Sequence, residues 1–360
     1  MFFKWKYACY GYLLWIVASS PLPSQRLVRH ITRASHLTRA ATFMLVQRYW
    51  LQRSQRLFTR FIGRQQYKFQ KVNISFKMDK VDEYFDFALP LVKSAGNLIS
   101  EHVNGCKVFE RKSCDIDLVT EIDKKVEETL IGGLSKQFPD HKFIGEETVA
   151  GGGKCELTDA PTWIIDPVDG TLNFVHGFPH SCISLGLAIN KECVAGIIYN
   201  PIIGQLFTAK KGKGAFLNDR QIHVSKITEL RNALIAFEVG TSRDEERCKN
   251  VFENFKRIVT QGHGLRSLGS AALNMAMVAL GGADANFEFG IHAWDIAAGD
   301  ILVREAGGVC MDPSGGPLDL LSRRVLCAST PELECSFIIV HGTNEYLLFI
   351  SCGMFIIIYY

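Results

Sequence analysis

Along the chain, apolar residues first recur at helical spacing. Phe85, Ala88, Leu89, Val92, Ala95 and Ile99 fall three or four apart and predict an amphipathic helix, with Pro90 interrupting its regularity. Val126, Leu130 and Leu134 are four apart and predict a second helix over 123–138. The middle of the chain changes period. Short apolar runs at 142–145, 163–166, 181–189 and 194–199, continued at 205–209 and 214–217, predict strands. Helical spacing returns at 245–258, 271–280 and 296–306. Helices, then a run of strands, then mixed elements predict layered α+β packing rather than a strict βαβ alternation.

The two ends read differently. Lys4 and Lys6 precede an apolar stretch at 7–18, and residues 346–360 are apolar apart from Ser351 and Gly353. Both fall short of the ~20 residues of a membrane-spanning helix.

Composition places the chain among globular proteins. It has 360 residues, 47% hydrophobic and 21% charged, which excludes a disordered chain, a collagen and a small disulfide scaffold. The net charge of +3 conceals a split. Residues 1–78 hold 14 Lys and Arg and no acid, which leaves 26 basic against 37 acidic residues over 79–360, a net of −11. An acidic body argues against nucleic acid as the partner and suits carboxylates that hold divalent cations. The 11 cysteines form no C-x-x-C pair, so zinc-ribbon and thioredoxin spacings are absent. They read as free, mostly buried thiols of a reducing compartment.

The informative segment is Trp163-Ile-Ile-Asp-Pro-Val-Asp-Gly-Thr171. Trp163 to Ile165 predict a short buried strand that ends at Asp166, because Pro167 cannot extend a ladder. Gly170 permits a tight turn, and Thr171 suits the cap of a following helix. Asp166, Asp169 and a backbone carbonyl, that of Val168, are thereby gathered beside a helix start, where hard cations and phosphate can share a site. Further acids follow the same pattern: Glu146-Glu147 after a strand-like run, Asp295 at the expected cap of the 296–306 helix, and Asp117 to Asp123 at another helix entrance. Singly, each is an ordinary cap or a solvated face. Together, in an acidic body, they point to a metal site. No P-loop spacing is present, which disfavours nucleotide triphosphate hydrolysis.

Three ordered motifs carry a family resemblance. Gly145-Glu-Glu, the run from Trp163 through Asp-Pro-Val-Asp-Gly-Thr to Pro179, and Trp294-Asp-Ile-Ala-Ala-Gly-Asp through Gly308 resemble the signatures of the inositol monophosphatase family, over about Met78 to Ser329. The resemblance implies a layered αβαβα sandwich of the inositol monophosphatase and fructose-bisphosphatase type. It implies a homodimer that depends on Mg²⁺ and is sensitive to lithium. The implied reaction hydrolyses myo-inositol monophosphates to inositol and phosphate, feeding inositol recycling and phosphatidylinositol signalling. Glu146, Asp166, Asp169, Asp295 and the Val168 carbonyl are the implied metal ligands. Thr171 and Asp123, with Glu146, are implied to orient the attacking water. Gly170 and Thr171 are implied to cradle phosphate. Asp169, Ser270, Ala271, Glu288 and Asp295 are implied to hold substrate, and Lys112 and Asp117 match a mobile loop.

The resemblance divides the chain into a basic extension at 1–77, a catalytic domain at 78–332 and an atypical apolar tail at 333–360. The extension reads as translated upstream sequence that the working, cytoplasmic enzyme lacks, with a signal peptide, organelle targeting or membrane attachment through the ends as alternatives. The rival functions are a bisphosphate nucleotidase or sugar phosphatase of the same superfamily, and a membrane-attached, non-catalytic isoform.

Overall fold

The computed structural model describes residues 74–105, 108–112, 118–240 and 242–337. The apolar stretch at 7–18, Asp117 and most of the apolar tail lie outside them. The helix α1 spans Ile74–His102 and buries Phe85, Ala88, Val92, Ala95 and Ile99. It opens before Met78 and runs unbroken through Pro90. Pro90 is exposed, so the carbonyl it leaves without an N–H partner lies on the solvent side of the helix. A short antiparallel pair, β1 (Phe109–Arg111) and β2 (Leu118–Thr120), leads into α2 (Glu121–Gln137). Thr120 and Asp123 form a capping box at its start, and Val126, Leu130 and Leu134 are fully buried along one face.

Next come β3 (Lys142–Gly145), the one-turn helix α3 (Glu146–Ala150), β4 (Thr162–Asp169) and the short helix α4 (Thr171–His176). Five strands follow: β5 (Cys182–Ile189), β6 (Glu192–Asn200), β7 (Gln205–Lys210), β8 (Gly214–Leu217) and β9 (Arg220–Ile222). With β3 and β4 they make a seven-stranded sheet in chain order, parallel only between β3 and β4.

The rest of the body builds a second sheet. Its elements in chain order are β10 (Leu234–Phe237), α5 (Glu245–Gln261), β11 (Gly264–Arg266), α6 (Ala271–Leu280), β12 (Ala285–Phe289), α7 (Ala293–Glu305), β13 (Val309–Met311), β14 (Arg324–Ala328) and α8 (Pro331–Glu334). The strands lie in the order β11-β10-β12-β14-β13. The hydrophobic pattern alone does not announce this sheet. Its strands are three to five residues long, too short for a period to register, and β12 carries Asn286 and Glu288 inside.

Three cores alternate with the two sheets. Ile99, Val126 and Leu130 pack on Trp163, Ile165, Leu185 and Leu187 of the first sheet. On that sheet's other face, Ile164, Ile198 and Phe207 meet Leu273 and Met275 of α6, Ile296 and Ala297 of α7, and Val325 and Cys327 of the second sheet. Beyond it, Phe237, Phe287 and Leu326 pack on Ile258 of α5 together with Leu333 and Phe337. The layers run αβαβα, as expected. The expected boundary at 332 falls within the last core, because Leu333 and Phe337 are both fully buried there.

Close approach of α7 to the first sheet rests on two glycines. A Cβ on Gly186 of β5 would lie 2.7 Å from the Ala297 Cβ, and one on Gly196 of β6 would lie 2.8 Å from the Ala298 carbonyl. Among the described residues no helix is long and apolar enough to cross a membrane.

These contacts make opposite predictions for two glycines. Gly186→Val should wedge α7 away from β5, cost about 1–3 kcal/mol and lower the Tm. Gly132, exposed on α2 with nothing near its missing Cβ, should raise the Tm as Gly132→Ala, by up to about 1 kcal/mol. Thermal unfolding of both variants checks this, and shifts of the same sign would refute the packing described.

Candidate active site

The site begins with a slip in β4. Asp166 pairs with Ser184 and Asp169 with Cys182, so three steps along β4 match two along β5. One residue is therefore extra, a bulge at Pro167 and Val168. Ile164 lies in the core shared with α6 and α7, whereas Trp163, Ile165 and Val168 lie in the core shared with α1 and α2. Without the slip, residues three apart would point to opposite faces. With it, Asp166 and Asp169 share the face toward α6 and α7. The strand thus continues past the expected stop at Asp166, because Pro167 sits at the bulge, where no ladder N–H is required.

Asp295 meets them from α7. One carboxylate oxygen from each of Asp166, Asp169 and Asp295 lies within 4.8 Å of the other two. Asp295 is the third residue of α7 rather than its cap. His292 takes the cap position, and its backbone N–H donates to Asp295 Oδ2 at 2.6 Å. The Ser184 hydroxyl donates to the Trp294 carbonyl at 2.9 Å, tying the start of α7 to β5.

Asp169 is held by the start of α6. It accepts from the Ser270 hydroxyl at 2.5 Å, the Ala272 N–H at 2.8 Å and the Ala271 N–H at 3.3 Å. The Cys182 thiol adds a longer contact of 3.7 Å. The cap of α4 is Gly170 rather than Thr171, with φ +85°. A Cβ there would lie 2.9 Å from the Gly269 carbonyl and 3.0 Å from that of His180, so only glycine fits. The Asn173 amide donates to the carbonyls of His180 and Leu268, both at 2.7 Å. From the other side, Glu238 Oε1 accepts from the N–H groups of Leu268 and Gly269 at 2.8 and 2.9 Å.

A second group adjoins the first. Asp123, fully buried, accepts from the backbone and hydroxyl of Thr120 and, at 3.1 Å, from the Thr171 hydroxyl. That hydroxyl also lies 3.0 Å from the Val168 carbonyl. Glu146 and Glu147 form the first turn of α3, and Lys112 Nζ donates to both, at 2.7 and 2.6 Å. Glu127 of α2 accepts from the N–H groups of Glu147 and Thr148, each at 2.8 Å.

Crowded burial controls the charges. Asp166 is pushed far above the usual carboxylate range, first by burial and then by Glu146, Asp169 and Asp295 around it. Asp295 is raised by burial and by Asp169. Burial lifts Glu146 from an ordinary 4.5 to about 7, although Lys112 opposes it. Asp169 is raised by burial too, and its Ser270, Ala271 and Ala272 donors pull it back down. Burial would depress Lys112, but Glu146 and Glu147 more than reverse this and hold its ammonium above the usual lysine value. Glu288 is raised well above its ordinary value by burial, with Glu238, Asp295 and Asp169 adding to it, and its Oε2 has no hydrogen-bond partner among the described residues. The donor set is oxygen throughout, the chemistry of a hard divalent cation.

Every sequence-predicted site residue within the described residues joins this region; Asp117 lies outside them. Glu127, Asn173, Cys182 and Glu238 were not singled out by the motifs. Glu238 ends a short apolar run, as Glu146 does, and Glu127 lies one turn beyond Asp123. Those are the signals that mark them.

A profile of the inositol monophosphatase family matches residues 80–340. The chain is 47% identical to human inositol monophosphatase 1 over 252 residues, 70% of this chain and 91% of that protein. It is 44% identical to rat inositol monophosphatase 2 over 253 residues, 70% of this chain and 87% of that one. Among solved structures, the Thermotoga maritima IMPase superposes with a TM-score of 0.62 at 34% identity, over 70% of this chain and 93% of its own.

The raised carboxyls fix a sign. A carboxyl whose pKa rises on folding binds its proton more tightly in the folded state. Metal-free stability is therefore lost as the pH climbs from 4.5 toward about 7, the Glu146 window. A cation needs the carboxylates deprotonated, so it should stabilise more at high pH. The Tm in EDTA should fall across that window, and Mg²⁺ should raise the Tm more at its upper end than at its lower end. Thermal scans at both ends check this, and an equal rise at each would contradict the cluster's protonation.

Proposed function

This chain belongs to the inositol monophosphatase family, and on that premise we propose that it hydrolyses myo-inositol monophosphates to inositol and phosphate with Mg²⁺. The observation that carries the reading is the convergence of Asp166, Asp169 and Asp295. Three carboxylates so close, two of them buried and the third partly so, are unfavourable unless a cation joins them.

In this reading Glu146, Asp166, Asp169, Asp295 and the Val168 carbonyl hold Mg²⁺. When bound, the cation lowers the pKa of a water and neutralises charge on the leaving oxygen. The Thr171 hydroxyl, anchored between Asp123 and the Val168 carbonyl, positions the attacking water together with Glu146. Gly170 and Thr171 cradle the phosphate with the first N–H groups of α4. Asp169, Ser270, Ala271, Glu288 and Asp295 receive the inositol hydroxyls. The unpartnered Glu288 Oε2 supports its share in this, since a buried oxygen without a donor suits a substrate hydroxyl. Lys112 supplies positive charge beside the phosphate. No covalent phosphoenzyme is required, and the buried Cys182 thiol, held above its usual pKa by burial, is not a nucleophile in this scheme. A bisphosphate nucleotidase, a sugar phosphatase and a non-catalytic isoform are the less favoured readings.

The working form is a homodimer. Phe252, Phe255 and Val259 are exposed at helical spacing on α5, 68%, 44% and 56% accessible, an apolar face suited to a second copy. The catalytic body, expected over 78–332 and continuing through Leu333 and Phe337 of the last core, contains every residue named here, and the free described cysteines accord with a cytoplasmic location.

The test is phosphate release from inositol 1-phosphate with Mg²⁺, with EDTA and with added Li⁺. Turnover should require Mg²⁺ and fall with Li⁺. Asp169→Asn should abolish it while the protein stays folded, and Glu146→Gln should mainly lower kcat. Wild-type rates in Asp169→Asn would refute the metal site, and a change confined to KM in Glu146→Gln would make Glu146 a binding group.

A further inference from the structure

We propose that Glu127 is the positioning residue that fixes Glu146, acting as the N-cap that α3 lacks. The inference rests on the reading of Glu146 as a metal ligand. The helix α3 opens on Gly145, which has no side chain to cap it. Its first N–H groups would otherwise be left without partners. Glu127 reaches across from α2 and takes both of the bonds a capping residue would take. Its Oε2 accepts the Glu147 N–H and its Oε1 the Thr148 N–H, each at 2.8 Å. The Thr148 hydroxyl adds a third bond to Oε1 at 2.6 Å.

Glu127 is only 3% exposed, so no water competes for these bonds. The fit also accounts for Gly145. A Cβ there would lie 2.5 Å from the Glu127 carboxyl carbon, so the strand end and the carboxylate touch directly. Glu146 is the first residue of this one-turn helix, immediately before the two clamped amides. Its direction is therefore set by where Glu127 holds that turn. The same face of α2 carries Asp123, four residues earlier, which holds Thr171. One helix face thus supports both groups proposed to position the attacking water.

The clamp needs a carboxylate. An amide in the same place has one accepting atom, so in either orientation its NH₂ meets one of the two backbone N–H groups. Glu127→Gln keeps the volume and breaks the clamp. Supports of this kind are worth about 10- to 100-fold in metal affinity or activity.

The test compares wild type, Glu127→Gln and Thr148→Ala, each first shown to be folded by thermal unfolding. Mg²⁺ affinity is read by isothermal titration calorimetry, and kcat and KM with inositol 1-phosphate. Glu127→Gln should bind Mg²⁺ about 10- to 100-fold more weakly and lose kcat by a similar factor, with KM within about twofold. A lower Tm with unchanged Mg²⁺ affinity and kcat would leave Glu127 a purely structural residue and overturn the proposal. Should Glu127→Gln fail to fold, Thr148→Ala decides, since it removes one donor and spares both backbone bonds. A Mg²⁺ affinity weakened by a few fold would support the clamp, and an unchanged one would overturn it. Failure of the wild type itself to bind Mg²⁺ would instead overturn the proposed function.

Discussion

A strand presents alternate residues to opposite faces, so two acids three apart cannot meet unless the strand slips. The extra residue at Pro167 and Val168 is that slip. It turns Asp169 onto the face of Asp166, and much of the molecule is arranged to receive the pair. Proline is well suited to the position. It has no N–H to waste, and its fixed φ limits the conformations the bulge can take. Val168 keeps its side chain in the core under α2 while its carbonyl stays beside Thr171.

The gathered charge is costly, and the surroundings offset it in different ways. Asp169 receives two backbone N–H groups and a hydroxyl from the start of α6. Asp295 receives the His292 N–H at the start of its own helix. Glu146 receives Lys112. The Asp166 Oδ1 accepts the Val168 N–H at 3.0 Å, and burial first, then the other three acids around it, make it among the most strongly raised. Helix starts serve twice here. Their amides hold the carboxylates in place, and their dipoles favour the negative charge. The protein's own bonds leave the cluster short of positive charge, which is the property a cation site requires.

The layered fold delivers these parts to one place. In the first sheet β3 and β4 run parallel, and each ends where a short helix begins. The glycines of β5 and β6 let α7 lie close on the sheet, which brings Asp295 to the acids of β4. Clamps on the loops fix the rest. Asn173 and Glu238 hold the turn before α6 from opposite sides. A site assembled from so many elements stays accurate only if each junction is fastened separately.

Much of this was legible in the residues alone. The helices α1 and α2 follow from apolar spacing, because a helix three or more turns long repeats its buried face often enough to register. The central residues of the site follow from motif identity, since Asp166, Asp169, Thr171 and Asp295 sit in unbroken runs of sequence. The second sheet did not follow, because its strands are too short to show a period. That Asp166 and Asp169 come together did follow, from a strand expected to end at Asp166 and turn; that they do so within one continuous strand did not, because only pairing with β5 shows the slip. Glu127 was illegible for a further reason. A buried acid on an amphipathic helix looks like any other, and its meaning lies in the amides of α3, twenty residues away in sequence. Local chemistry and periodicity are written along the chain, and so determined which residues could act. Register, close approach and capping across elements depend on contacts between distant segments, and so only the tertiary structure decided how those residues meet.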